Sequence, residues 1–596
     1  MLSTVEDTAG SSLGPDDSRS PLDVSPVQAR SPPGEMPLPL RHSNAEPFSW
    51  LRQELSPTTV SPGALGIASD IPLIYTLEDN DNMTSHTMGL FSEQDTDLLA
   101  SFRSVIMNEQ NGVSADMIQV STGNPDQNIP PIHFNVIHDE FQPADDIAKA
   151  RASESIEAMV SPHGFTLVRL FFKHVHPVYS VVSKTRFLRA YATDKLQIPA
   201  SLRGAVYGLG SIFWKHEPAQ DGTLQFNLHD LFQEAHSSLQ REFHAPNLWK
   251  LQACLLLLYE RPADNATIET PCTWIFSAHT VACAQMIGLH RDPTSWQIAP
   301  WEKKLRRKLW WSTYTADIWS SVCHGNPPLI YQDSFTTTAP GVEDLEFDED
   351  VTEDLQYMVD ESSRDVDIST SARFLQMVNL SRILHSLVDS FYTDIGYEKT
   401  MSKPLEREQE LLKIKKKLED WASMIPQCVT MQHSQNSPAF RNNAPLHLAF
   451  FATQALLYRA LMSPAKTAAK SDPNSSLRRY FERAVTEFQV FTHFMNDITL
   501  PCLHAFWGGH ARSQLTLCGN FLIYLFLLAS TPEQVHRAFG LLESFHDSLQ
   551  RLREWADDDA SLALVRPVAL RIDSFFIQAA RIMRTGMGPR SHVGPL

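Results

Sequence analysis

From about residue 145 to residue 585, apolar residues recur at three- and four-residue spacing, the period of a helix with one buried stripe. The windows AKARASESIEAMV, FTLVRLFFKHV, NLWKLQACLLLLYE, WIFSAHTVACAQMIGL and WEKKLRRKLWWSTYTADIW all show it. So do TSARFLQMVNLSRILHSLVDSFY, LLKIKKKLEDWASMI, LHLAFFATQALLYRALM and EQVHRAFGLLESFHDSLQRLREW further on. Sustained alternation of apolar and polar positions is scarce, so the pattern predicts an all-α body. Pro262, Pro293, the Pro327-Pro328 pair, Pro404, the run from Ser471 to Asn474 and Pro532 break it into separate helices. No internal repeat of roughly 20–50 residues stands out, which disfavours a regular solenoid.

The first 85 residues have another texture. They are rich in Ser, Pro and Gly, and Ser20-Pro21, Ser25-Pro26, Ser31-Pro32, Ser56-Pro57 and Ser61-Pro62 recur through them. Such a composition cannot bury enough apolar surface to offset the entropy of ordering. The expected organisation is a disordered linker over 1–85 and a short, partly ordered segment over 86–144. A large helical domain then fills 145–585, and a disordered tail covers 586–596. The serines of the Ser-Pro pairs are phosphorylation candidates within a proline-stiffened linker.

The most apolar stretch, Leu515 to Ala529, is shorter than the roughly 20 residues of a membrane span and contains Gly519 and Asn520, so a buried core helix is expected. The opening MLSTVEDTAGSS carries acids where a signal peptide has a basic end and an apolar run. Seven cysteines, at 254, 272, 283, 323, 428, 502 and 518, form no C-x-x-C pair and read as reduced, mostly buried thiols of an intracellular protein. With 50 Lys and Arg against 69 Asp and Glu the net charge is −19, which repels phosphate backbones. Contact with DNA would need a separate basic module.

Enzyme chemistry leaves no trace in the motifs. There is no phosphate loop, no H-E-x-x-H zinc pair and no G-x-S-x-G elbow. The glycines of GAVYGLG, Gly204 to Gly210, open no strand–turn–helix unit and read as small residues that let helices approach closely. His174 with His176, and His279 with Cys283, are the nearest approach to metal-ligand pairs, and neither has partners in sequence to complete four ligands. No catalytic, metal-binding or cofactor-binding residue is assigned.

Two charged features suit interaction better. Lys303, Lys304, Arg306, Arg307 and Lys308 form a basic run that a nuclear-import receptor can read. Trp301, Leu305 and Leu309 fall on one helical face, which predicts a solvated basic face opposite them. Residues 343–361, EDLEFDEDVTEDLQYMVDE, mix acids with apolar groups and are expected to be exposed and mobile. Phe347, Leu355 and Tyr357 are the candidate activation surface there. The stretch 87–102, with Leu98, Leu99 and Phe102, is a second. The competing reading is that both segments pack onto the helical body and complete the fold.

The run MIGLHRDPTSWQIAPWEKKLRRKLWWSTYTADIWSSVCHGNPPLI, from Met286, resembles the regulatory region of fungal zinc-cluster (Zn2Cys6) transcription factors. The elements that carry the resemblance are Gly288, Leu289, His290, Arg291, Asp292, Trp296, Trp301, Glu302, Arg306, Arg307, Leu309, Trp310, Trp311, Asp317, Gly325 and Pro327. Upstream, His176-Pro177 in FFKHVHPVYSVVSKTRF looks like the start of that region, and TMGLFSEQDTDLLASF resembles a short segment such factors carry before it. Gly325-Asn326-Pro327-Pro328, where many relatives have Gly-Arg-Pro-Ser, looks more like the TamA-type nitrogen co-activators.

The resemblance implies a helical regulatory domain, a nuclear transcription regulator with a cytoplasmic pool left open, and co-regulators or other transcription factors as partners. It implies no enzyme activity and no membrane partner, and it leaves a homodimer open. The family's zinc cluster needs six cysteines in two C-x2-C-x6-C halves, and no cysteine precedes Cys254, so Zn²⁺ and DNA contact are expected only through a module upstream of this sequence. A co-activator or adaptor that never touches DNA is the alternative. The signature residues are expected to be structural: Gly288 ending a helix from Trp274 to Ile287, Asp292-Pro293 turning the chain, and Trp301, Leu305, Leu309 and Trp310 filling a core.

Overall fold

The computed structural model describes residues 76–78, 83–89, 117–138, 142–216, 224–260, 268–431, 442–556 and 559–585. Of residues 1–85 and 586–596, for which disorder is expected, 1–75, 79–82 and 586–596 lie outside the described residues, as do Leu98, Leu99 and Phe102, whereas residues 83–85 stand in a β-strand, held by pairing that a composition count does not register. Helices dominate, in agreement with the periodicity. They are α1 (Gln142–Val160), α2 (Gly164–Leu170), α3 (Lys184–Asp194), α4 (Ala200–Ser211), α5 (Leu228–Glu242), α6 (Leu248–Leu257), α7 (Pro271–Met286) and α8 (Pro300–His324). A second set follows: α9 (Ile368–Phe391), α10 (Pro404–Ser423), α11 (Ala444–Leu461), α12 (Ser476–Asn496), α13 (Ala511–Leu528), α14 (Pro532–Trp555) and α15 (Asp559–Thr585). Short helical turns join them.

Pro404 and Pro532 separate helices, as expected, and do so from helix starts. Pro271, Pro300, Pro404 and Pro532 each stand in the first turn, where a missing N–H costs nothing. Gly288 ends α7 with φ +77°, and Gly325 ends α8 with φ +72°, the left-handed conformation that favours glycine. The glycines of α4 let helices approach. A Cβ on Gly204 would stand 2.8 Å from the Ala235 side chain on α5, and one on Gly210 would collide with the Leu167 carbonyl oxygen of α2.

The helices build two apolar cores. The first gathers α1–α7, with Val168, Phe171, Phe187, Leu209, Leu251 and Leu309 among its buried residues. The second gathers α9–α15, with Leu384, Leu457, Phe488, Phe521 and Phe545. Helix α8 serves both: Leu305, Leu309, Trp310, Trp311 and Tyr314 fill the first core, and Ile318 and Trp319 fill the second. Among the described residues α13 is the one helix long and apolar enough to cross a membrane. It runs inside the second core against α11, α14 and α15, with Leu515, Cys518, Phe521, Leu522 and Leu525 buried.

A three-stranded antiparallel sheet, which the sequence pattern did not predict, precedes the helices. Strands β1 (Met83–Thr87), β2 (Met117–Ser121) and β3 (Ile132–His138) lie in the order β1-β3-β2. Thr84 pairs with Ile137, and Ile118 pairs with Phe134. Phe134 is fully buried, edge-on to Trp296 at 5.4 Å, and its ring occupies the space a Cβ on Gly288 would need. The sheet therefore seats on the turn between α7 and α8. The backbone N–H of Gln297 donates to the Val120 carbonyl at 2.7 Å, and Thr84 donates to the Pro246 carbonyl at 2.8 Å.

Trp310 is fully buried, as expected, whereas Trp301 is only half-buried under the Arg186 guanidinium, 3.5 Å from its ring centroid. The correction has a simple cause. Trp301 stands in the first turn of α8, where the helix has just emerged from the turn and one ring face is left for a cation to cover. Trp310→Ala is expected to cost about 3–5 kcal/mol and Trp301→Ala clearly less. Chemical denaturation of the two variants checks the order; equal losses would place both rings in the core.

Candidate functional site

Helix α8 carries the densest charge in the signature, and its first three turns are buried on most sides. The Glu302 side chain has no exposed surface. Its carboxylate accepts from the Leu77 N–H at 3.1 Å and from Arg306 Nε at 2.7 Å. Arg306, 2% exposed, donates through Nη1 to the Ile287 carbonyl at 2.6 Å and through Nη2 to Glu78 Oε1 at 3.3 Å. Its guanidinium also lies near the Trp296 and Phe134 rings, at 5.7 and 5.9 Å. Residues 77–78 thereby clamp the chain that precedes the sheet onto α8.

Two residues beyond Arg306, on another side of the helix, Lys308 reaches a second buried cluster. Its Nζ donates to Glu349 Oε1 at 3.0 Å, and Lys184 Nζ stands 3.4 Å from Glu349 Oε2. His176 Nε2 bonds the Val182 carbonyl oxygen at 2.9 Å and lies 3.7 Å from Glu349. All four side chains are nearly inaccessible to solvent. Burial disfavours the Glu349 carboxylate, but the neighbouring lysines outweigh it and bring its pKa to about 2. Burial, with those lysines, lowers the His176 pKa to about 4, so the imidazole is neutral.

These contacts revise two expectations. The basic run 303–308 is not a solvated face: Arg306 and Lys308 are buried in ion pairs. Lys303 donates to the Thr294 carbonyl, Lys304 lies over the Phe347 ring at 5.1 Å, and Arg307 pairs with Asp344. A helix packed by two cores has no free face for five cations, so they turn to acids, a carbonyl and, for Lys304, an aromatic ring.

The acidic stretch 343–361 is likewise not a free, mobile segment. Leu345, Val351, Leu355, Met358 and Val359 are buried, and Glu349 ties the stretch to α8 and α3. Asp360 pairs with Lys173 at 2.9 Å and with Arg169 at 3.5 Å. Of the candidate activation residues, Leu355 is buried, Phe347 is half-buried and Tyr357 is 65% exposed, stacked on Phe165.

The remaining signature residues complete the turns around α8. Asp292 accepts from the Thr294 N–H at 2.8 Å and from the Thr338 N–H at 2.8 Å, fixing the chain at Pro293. Thr336 N donates to the His290 carbonyl, and the Thr337 hydroxyl to the Leu289 carbonyl. Arg291 is half-buried beside them. Asp317 receives the N–H groups of Leu329 at 3.0 Å and Ile330 at 2.9 Å, which closes the loop through Pro327; burial pushes its pKa up to about 6 despite those donors. Trp311 Nε1 donates to the Thr338 carbonyl at 2.7 Å. Pro177 offers its carbonyl to the buried Arg373, whose Nη2 reaches Asn443 Oδ1 at 2.7 Å.

Glu78, Lys184, Glu349, Arg373 and Asn443 belong to these networks and were not singled out in the sequence. They are distant in the chain from the groups they neutralise, and a lone acid carries no signal of its partner. Among the described residues no three His, Cys, Asp or Glu side chains gather as metal ligands. His174 stacks on Phe213, and His279 packs edge-on to Phe243 and Phe276.

His176, His290 and His510 each have a pKa lowered by burial from 6.5 to about 4. The unfolded chain therefore binds their protons first, and stability falls as pH drops from about 6.5 towards 4, by roughly 1.4 kcal/mol per pH unit for each histidine. Glu349 extends the loss below its ordinary value of 4.5, whereas Asp317, raised to about 6, opposes about one of the histidines between pH 6 and 4. The melting temperature is expected to fall steadily from pH 7 to pH 5; a flat or rising profile would show that the imidazoles are protonated inside the fold. At pH 7, Glu349→Gln should cost about 3–5 kcal/mol by stranding two buried lysines, and adding Lys308→Met should recover part of it. Thermal denaturation of the single and double variants reads both effects.

The geometry can now be set beside known proteins. Residues 168–423 match the fungal specific transcription factor domain. The transcriptional activator protein DAL81 of Saccharomyces cerevisiae is 25% identical over 454 residues, which cover 71% of this chain and 45% of that protein. An uncharacterized transcriptional regulatory protein of Schizosaccharomyces pombe is 28% identical over 318 residues, 52% of this chain and 44% of its own length. Cutinase transcription factor 1 alpha of Fusarium vanettenii is 25% identical over 364 residues, 60% of this chain and 36% of its own. The chain thus spans less than half the length of these relatives. No solved structure matches it. The matched domain begins in α2 and ends with α10, so it takes in α8 and the cluster of His176, Lys184, Lys308 and Glu349, but not residues 77–78, which complete the first cluster. Over residues 168–423 the chain is thus similar to the fungal specific transcription factor domain, and the relatives it resembles are named as fungal transcription regulators.

Proposed function

We propose that this chain is the regulatory body of a nuclear transcription regulator of RNA polymerase II genes and that it works through protein contacts on its outer surface. One observation carries the reading: each charged signature side chain of α8, from Glu302 to Asp317, ends on another group of the same chain. Groups committed in this way build a scaffold, and the output has to come from what the scaffold exposes. DNA contact belongs, in this reading, to a zinc cluster in a longer form of the protein.

The surface we assign to co-regulators is what remains of the acidic–aromatic stretch. Tyr357, 65% exposed, stacks on Phe165, 40% exposed, with ring centroids 6.3 Å apart. Glu353, Asp354 and Glu361 are exposed close by in the chain. Such a patch suits a partner with an apolar, basic groove. Two relatives named as transcriptional activators favour activation over repression, and a third, an acetamidase regulatory protein, makes nitrogen-source utilisation the target class we favour.

A reporter driven by the chain fused to a foreign DNA-binding domain tests this. The intact chain is expected to activate. Phe165→Ala with Tyr357→Ala should lower activation several-fold at unchanged protein level and melting temperature. Leu355→Ala, in the core, should lower protein level and melting temperature instead. Full activation by the double variant would remove the patch from the mechanism.

A further inference from the structure

Where α8 ends at Gly325, the structure opens a cavity of about 310 Å³ between that turn, α9, α11, α15 and the start of α13. Its floor is apolar, made by Val322, Val388, Leu456 and Leu517. Two exposed arginines, Arg459 of α11 and Arg571 of α15, line it, and among the described residues no aspartate or glutamate does. That is unusual in a chain of 69 acidic and 50 basic residues, where the cations of α8 all find partners.

The two arginines find only weak ones. Arg459 has no hydrogen bond or ion pair among the described residues and lies only over the Tyr392 ring, 5.9 Å from its centroid. Arg571 touches the Asn520 side-chain oxygen at 3.4 Å and nothing stronger. The hydroxyl groups around them are already committed. Ser321 donates to the Asn326 carbonyl, Ser513 to Glu269, Thr516 to the Arg512 carbonyl and Tyr392 to the Leu456 carbonyl. The charged donors left over are the two guanidinium groups, beside the amides of Asn326, Gln514 and Asn520 and above an apolar floor.

We propose that this cavity binds a small organic carboxylate, with its hydrocarbon part on the apolar floor and its carboxylate on Arg459 and Arg571. Guanidinium groups match a carboxylate through paired N–H donors, and among the described residues no acid lines the cavity, Glu269 standing behind Ser513. The volume is at the small end for such sites, which suits a ligand of metabolite size. The apolar floor separates this site from a bare phosphate patch. The bound molecule would rest against the end of α8, the helix common to both cores. The inference stands independently of the protein-contact reading above, because it is tested by binding alone.

Isothermal titration of the full chain with 4-phenylbutyrate, its neutral amide and inorganic phosphate decides it. The acid is expected to bind saturably at one site, with the amide and phosphate each weaker by roughly tenfold or more. Arg459→Gln with Arg571→Gln should weaken the acid by a similar factor while the melting temperature stays unchanged, since both side chains are exposed. The double Lys variant should recover part of the affinity. No saturable binding of the acid up to about 10 mM, equal binding of acid and amide, equal binding of phosphate, or an unaffected Gln variant would each overturn the proposal.

Discussion

A helix enclosed by two apolar cores can keep ionised groups only if the surrounding chain supplies their counter-charges. Helix α8 sets that condition for this fold. Glu302, Arg306, Lys308 and Asp317 are all less than 4% exposed. Breaking one partner of such a buried pair costs several kcal/mol, whereas the intact set merely approaches balance. The networks therefore act less as a source of stability than as a specification of which segments lie where. Glu78 brings in the chain before the sheet, Glu349 brings in the acidic stretch, and the backbone of residues 329–330 is folded back onto Asp317.

That view also explains why the acidic stretch is ordered. By composition it looks like a segment that stays in water. Lys308 and Lys184 together pull one of its carboxylates inside, and the apolar residues on either side follow. Charge neutralisation and apolar burial act on alternate residues of the same strap. What is left outside is a smaller acidic surface with an aromatic pair on it.

Much of the architecture was legible from residues alone. The helical period, the proline breaks, the glycine that ends a helix at 288 and the close approach at Gly204 are local properties, and they appear where the local rules put them. The sheet was missed although ILE-x-PHE-x-VAL alternation is present in β3, with Ile132, Phe134 and Val136 buried. Five residues of alternation in a region of mixed composition, broken at Ile137, were too short to stand out against long helical windows. The burial of the basic run was missed for a different reason. A helical wheel assigns a face to solvent by its polarity, and it cannot register that an acid forty residues away in sequence comes to meet it.

The sharing of α8 between two cores sets how this molecule can be divided. Its Leu309 and Trp310 belong to one core and its Trp319 to the other, on a single uninterrupted helix. Any cut within or beside α8 strips one half of its central strut, and each fragment would present a wide apolar scar. Deletion mapping through this region would therefore report loss of folding at almost every endpoint. A map of that kind would look like regulation spread along several hundred residues, when its cause is one indivisible unit.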